Sequence, residues 1–190
     1  MNRGASMADD PSDDDLFRAF QRGDRAAFEV LAQRCEASML GLARGLLDGD
    51  SSSACDAVQN AWIRIIRSAG AFRGESTFKT WAYRILVNEC RRMRSAMKRS
   101  AMSVETSQSV SSEPCEGGLR IEESDELAMI RAAVDRLPAA TREAVLICFH
   151  HGMTHAAAAE VLEVPLGTLK TRVRSALYEL RSALSTEPAR

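Results

Sequence analysis

Residues 164–180 read VPLGTLKTRVRSALYEL. Pro165 and Gly167 punctuate the start, and a basic, amphipathic run follows. On a wheel at about 100° per residue, Leu169, Val173, Ala176, Leu177, Leu180 and Leu184 gather on one side. That is the side a helix buries. Thr171, Arg174, Ser175 and Tyr178 lie opposite, with Lys170 and Arg172 on the flanks. A basic outer face on a solvated helix is ordinary by itself; what precedes it is not. Thr154 is placed to cap HAAAAEVLEV, and the short Pro/Gly turn joins that helix to the basic one. A capped helix, a tight turn and a second helix form a helix-turn-helix, whose second helix enters the DNA major groove. In that setting Arg174 can donate two bonds to a guanine edge, and Thr171 can meet a base or a thymine methyl. Ser175 shares their face, Lys170 and Arg172 suit phosphates, and the backbone N–H groups near Thr168 can hold another phosphate.

The rest of the chain is also helical in pattern. Of its 190 residues, 45% are hydrophobic but only 5% aromatic, and Gly (11) and Pro (5) are few, which favours helices over a β-sandwich or barrel. The expected fold is all-α, in two helical domains spanning residues 14–98 and 125–185. Between them, residues 99–124 are rich in Ser and Glu, lack an apolar period and read as a flexible acidic linker. The formal net charge of −1 hides this segregation. Basic side chains concentrate between Arg84 and Arg99 and again in the last helix.

In the first domain, Asp13 to Asp15 can cap LFRAFQRG, Gly23 stops it, and Asp24 opens the next helix. A third helix is expected from about Ala54 to Ser68 and a fourth from about Phe78 to Lys98, with GAFRGEST as the loop between them. The fourth places Leu86, Cys90, Met93 and Met97 on its core side. Trp81, Arg84, Asn88, Arg91, Arg92 and Ser95 face away. Aromatics stack on unpaired bases and Asn reads base edges, although Trp81 is equally at home as core at a helix start. The preceding loop holds Phe72, Arg73, Gly74 and Ser76, and can cup an extruded base. On the third helix, Cys55, Val58, Trp62, Ile65 and Ile66 read as core. Asp56, Asn60, Arg67 and Ile63 face away, with Gln59 at the edge. An exposed Ile is either incidental or part of a docking face.

At this point two stretches resemble a known family. DAVQNAWIRIIRSAGAFRGESTFKTWAYRILVNECRR is similar to region 2 of the extracytoplasmic-function sigma factors of bacterial RNA polymerase. LPAATREAVLICFHHGMTHAAAAEVLEVPLGTLKTRVRSALYELR is similar to their region 4. The resemblance implies that Asp56, Gln59, Asn60 and Ile63 dock on core polymerase, chiefly its β′ coiled coil, with the β subunit also a partner. It implies that Phe72, Arg73, Gly74, Ser76 and Phe78 capture a flipped base of the promoter −10 element. Trp81, Arg84, Asn88, Arg91 and Arg92 would recognise the same element. Thr168, Lys170, Thr171, Arg172, Arg174 and Ser175 would read the −35 element. An anti-sigma protein is an implied partner. The run HAAAAEV departs from the family's usual first region 4 helix, and Trp62 stands where Phe is usual.

Other function classes fit less well. An ordinary helix-turn-helix regulator, acting without polymerase, leaves the Trp81–Arg84–Asn88 stripe without a role. Cys148, His150, His151 and His155 invite a zinc site, but Gly152 interrupts the helix between them, so no metal or other cofactor is expected. No nucleophile motif or phosphate-cradling Gly loop appears, so an enzyme is not expected. Five cysteines without a CxxC pair fit reduced thiols. No apolar run approaches the ~18 residues of a membrane span, and the start lacks the apolar centre of a signal peptide. The expected location is the cytoplasm, with Met1 or Met7 as the start.

Overall fold

The computed structural model describes residues 10–103, 125–150 and 152–185. Among them the helices are α1 (Asp13–Gln21), α2 (Arg25–Leu46), α3 (Ser51–Arg67), α4 (Phe78–Ser103), α5 (Asp125–Asp135), α6 (Ala139–Val145), α7 (His155–Leu162) and α8 (Leu166–Ser185). No strand is present among the described residues. A short 3₁₀ turn at Ala69–Ala71 follows α3, and α6 runs on into a π turn at Leu146–His150.

The helix starts follow local chemistry. Ser12 caps α1 by accepting from the Asp15 amide, while its hydroxyl donates back to the Asp15 carboxylate. Asp24 caps α2 through the Ala27 amide. Asp50 accepts from the Ser52 and Ser53 amides, so α3 begins at Ser51. The serines after Asp50, ahead of the helix start expected near Ala54, are thus its first helical turn. The start of α4 is held twice: Thr77 accepts from the Thr80 amide, and Asp14, far away on α1, accepts from the Phe78 amide at 2.8 Å. This helix continues through residues 99–103, which the sequence reading gave to the linker. The remainder of that linker, residues 104–124, lies outside the described residues.

Helices α1–α4 bury a shared core around Phe17. Its ring meets Phe20, Phe72, Phe78 and Trp81, with centroid distances of 4.6–5.8 Å. Leu31, Met39, Leu42, Ile65, Tyr83 and Leu86 fill the remainder. Burial pushes the Cys35 thiol up to about 11 and the Cys90 thiol up to about 12, so neither supplies a thiolate at neutral pH. Two expected core residues are outside: Ile66 is 46% exposed and Met97 is also exposed. Small residues explain the first case. Ala54, Ala57 and Ala61 bring α3 close to its neighbours along one line, which rotates Ile66 away.

One carboxylate inside this bundle was not foreseen. Glu89 of α4 is buried, and it bridges Arg64 of α3 and Arg92 of its own helix. The second half of the chain packs α6, α7 and α8 around Ala144, Ile147, Ala158, Val161, Leu162 and Leu169. These residues run on into the first core without a break, because α7 lies along α4 and the π turn meets α2.

Removing the hub ring tests the first core. Phe17→Ala should lower unfolding free energy by about 3–5 kcal/mol, read from urea denaturation followed by circular dichroism.

Candidate nucleic-acid interface

The turn of the helix-turn-helix is Glu163–Pro165, with Glu163 in the left-handed region at φ 57°. Leu166 and Gly167, expected in the turn, already belong to α8. Thr154 caps α7 through the Ala157 amide as expected. Leu169, Val173 and Ala176 are buried, and this fixes the azimuth of α8. Thr168, Lys170, Thr171, Arg174, Ser175 and Tyr178 are therefore exposed, with Arg172 half-buried on the flank. Leu177 and Leu184, expected in the core, are exposed instead, while Leu180 packs against Leu137, Val145 and Ala176. The Thr171 hydroxyl donates to the Gly167 carbonyl at 3.0 Å, and Ser175 donates to Glu179 at 3.3 Å.

The other basic helix is more crowded. Phe78 is wholly buried and Phe72 nearly so, both against Phe17. Phe78 is a packing residue in this structure and presents no surface to a base. Trp81 is half-buried on the rim of the same ring cluster, 5.1 Å from Phe72. The loop 72–77 and α4 enclose an open cavity of about 500 Å³, lined by Phe72, Arg73, Ser76, Trp81, Arg84 and also by Glu160. Gly74 has φ 74°, a conformation that suits glycine. Arg92 turns to Glu89 and leaves the Arg84–Asn88–Arg91 stripe.

Helices α6 and α7 lie over that stripe. Arg84 donates to the Glu160 carbonyl at 3.1 Å. Arg91 donates to Glu143 at 2.7 and 3.1 Å and stands 3.5 Å from both Asn88 Oδ1 and the Leu162 carbonyl. Arg94 donates to the other oxygen of Glu143 at 2.8 Å. Burial by itself would push the Glu143 carboxyl up, but the two guanidiniums more than offset it and hold the group below the ordinary carboxylate range. On α3, Asp56, Gln59 and Ile63 are exposed on one face and Asn60 is half-buried beside them. Ile66 extends this face.

Several contributors escaped the sequence reading. Gln21, at the end of α1, donates its amide to the Ala69 carbonyl at 2.8 Å and the Phe72 carbonyl at 3.0 Å, which braces the loop. With Asp14 on the Phe78 amide, α1 thus supports both the loop and the helix that follows it. No sequence pattern announces such contacts across about 50 residues. Glu143 had a signal. It lies four residues before Ile147 on the side that faces the core, where a carboxylate needs a charged partner.

Comparison with known proteins agrees with this geometry. The sigma-70 region 2 profile matches residues 31–100, and the sigma-70 region 4 profile matches residues 127–180. The RNA polymerase sigma-H factor of Pseudomonas aeruginosa is 30% identical over 187 residues, covering 94% of this chain and 96% of the relative. This chain belongs to the sigma-70 family of RNA polymerase sigma factors. The ECF RNA polymerase sigma-E factor of Escherichia coli K12 is likewise 30% identical, over 95% of this chain and 96% of that protein. Among solved structures, CnrH in complex with the cytosolic domain of CnrY has a TM-score of 0.71 at 21% identity, covering 93% of this chain and 100% of that one. The sigma factor RpoE of Bartonella quintana, in complex with the anti-sigma factor NepR, has a TM-score of 0.66 at 23% identity, covering 85% and 98%. Both have the same two-part helical fold. Among the described residues of this sigma factor, no group of three His, Cys, Asp or Glu could hold a metal, and no helix is long and apolar enough to cross a membrane.

The brace on the loop can be measured. Gln21→Ala should cost about 1–2 kcal/mol and speed amide hydrogen exchange at Ala71 and Phe72, while exchange in α8 stays as it was.

Proposed function

We infer that this sigma factor, acting in transcription initiation, has recognition as its task. We propose that α8 reads the −35 element as duplex while the outer side of α4 and the loop before it hold the −10 element as single strand. The observation that carries the reading is a pair of cationic helices in separate halves of one chain, each anchored by an apolar inner side. On α8, Arg174 and Thr171 are the base readers; Lys170, Arg172 and the amides near Thr168 hold phosphates, with Ser175 beside them. On α4, Trp81 is the stacking surface, Asn88 reads an edge, and Arg84 and Arg91 grip the strand. Arg73 and Ser76 line the cavity that takes an extruded base, with Phe72 as part of its floor. Stacking is worth about 1–3 kcal/mol per base, similar to the ~1.4 kcal/mol mean cost of one stacked step. A few captured bases therefore tip the duplex toward opening. The chemistry of RNA synthesis belongs to the polymerase, and this chain works with it in the cytoplasm.

Core polymerase docks on α3 through Asp56, Gln59, Asn60 and Ile63, and Ile66 enlarges the apolar part of that face. The structural relatives were solved with CnrY and with the anti-sigma factor NepR, and an anti-sigma protein is proposed here too. The rival reading, a regulator that binds operators without polymerase, gives the exposed face of α3 no partner.

Run-off transcription with reconstituted holoenzyme on genomic fragments tests this. The wild type should initiate at promoters with paired −35 and −10 elements. Arg174→Ala should lose about 1–3 kcal/mol of discrimination at one −35 position. Lys170→Ala should weaken binding evenly across sequences and reduce the salt slope by about 1. Asn88→Ala should lower open-complex formation and leave duplex −35 binding alone. Operator binding that neither needs nor recruits core polymerase would overturn the proposal.

A further inference from the structure

The side of α4 assigned above to single-stranded DNA is not free in this structure. We propose that α6 and α7 act as an internal latch, holding Glu143 in the place of a DNA phosphate so that the free chain takes single-stranded DNA only after its two halves part. The inference rests on the proposed role of α4. Glu143 is 3% exposed and offers one oxygen to Arg91 and the other to Arg94. Arginine pairs with carboxylate and phosphate through the same fork of donors, so the two anions compete for one surface. Around this pair, Arg84 is drawn to the Glu160 carbonyl, and Glu160 roofs the cavity beside Trp81. A second bond ties the halves at the far edge, where Arg142 of α6 pairs with Asp48, just beyond α2. Between the two, Leu146 sits so near Gly45 that a Cβ there would lie 2.9 Å from its Cδ1.

Covalently the halves are free to part. The chain between Ser103 and Asp125 can span up to about 70 Å if extended. Closure then acts as a tax on DNA affinity, since the apparent dissociation constant rises by the inverse of the open fraction. Parting the halves also releases α8 to reach a duplex site at a distance from α4.

The test uses the full chain and a fluorescent 12-nucleotide single-stranded DNA of random sequence. Three variants are compared with the wild type: Glu143→Gln, Arg94→Ala and Gly45→Leu. Anisotropy reports affinity, small-angle scattering reports the radius of gyration, and circular dichroism confirms the helices. Under the latch all three expand the chain and tighten binding by about tenfold, as for a form nine-tenths closed. Arg94→Ala and Gly45→Leu are decisive. The first removes a positive charge, which by simple attraction weakens DNA binding, and the second changes no charge. The unsubstituted chain must also expand when it takes the oligonucleotide. Unchanged radius and affinity in the variants, or binding by the wild type without expansion, overturns the latch alone. Expanded variants that bind no single-stranded DNA overturn it together with the reading of α4.

Discussion

A guanidinium does not shed its charge at any pH a protein experiences, and three of them, Arg84, Arg91 and Arg94, crowd one side of α4. Whatever lies against that side must supply oxygen atoms. In this structure the supply is protein: the Glu143 carboxylate and the carbonyls of Leu46, Glu160 and Leu162. In the proposed scheme nucleic acid takes over at Arg84 and Arg91. The same requirement accounts for the polar part of the contact between the two halves. The ionic contacts can exchange partners, while the apolar packing of α7 on α4 and of the π turn on α2 adds to the closed arrangement.

Small α1 has a large share in this arrangement. Phe17 fills the centre of the aromatic cluster, Asp14 caps α4, and Gln21 holds two carbonyls of the loop. These residues fall within nine positions of one another and touch no DNA in the proposed scheme. They fix where Trp81 stands and how the cavity beside it opens. A loop that accepts a base, as proposed for this one, cannot be stiffened from inside, because its own side chains are the lining. Its rigidity comes from the helix behind it.

Much of this was legible in the sequence because the inner sides of helices carry a regular apolar period. The caps Asp24 and Thr154, the stop at Gly23 and the outward azimuth of Arg174 all followed from local rules. What escaped was decided by neighbours far along the chain. Ile66 and Met97 are apolar and fit the core period in sequence, yet both are exposed. Phe78 looked like a loop residue aimed at DNA, and Phe17, more than sixty residues earlier, claims it. Asp50 extended α3 by converting an apparent turn into a capped first turn. Glu89 and Glu143 are charges on buried sides. Their presence could be read, but which arginines they answer could not.

Glu89 has a further consequence. Apolar side chains slide over one another by an ångström at little cost, but a guanidinium paired with a buried carboxylate holds a closer register. Arg64 reaches it from α3, next to Ile63, and it stands next to Asn88 on α4. It acts as a dowel through both helices, keeping their outer edges at a set spacing. In the proposed scheme, whatever seats the first edge delivers the second to a fixed place, so that polymerase on α3 and the parted strand on α4 would be gauged from one pin.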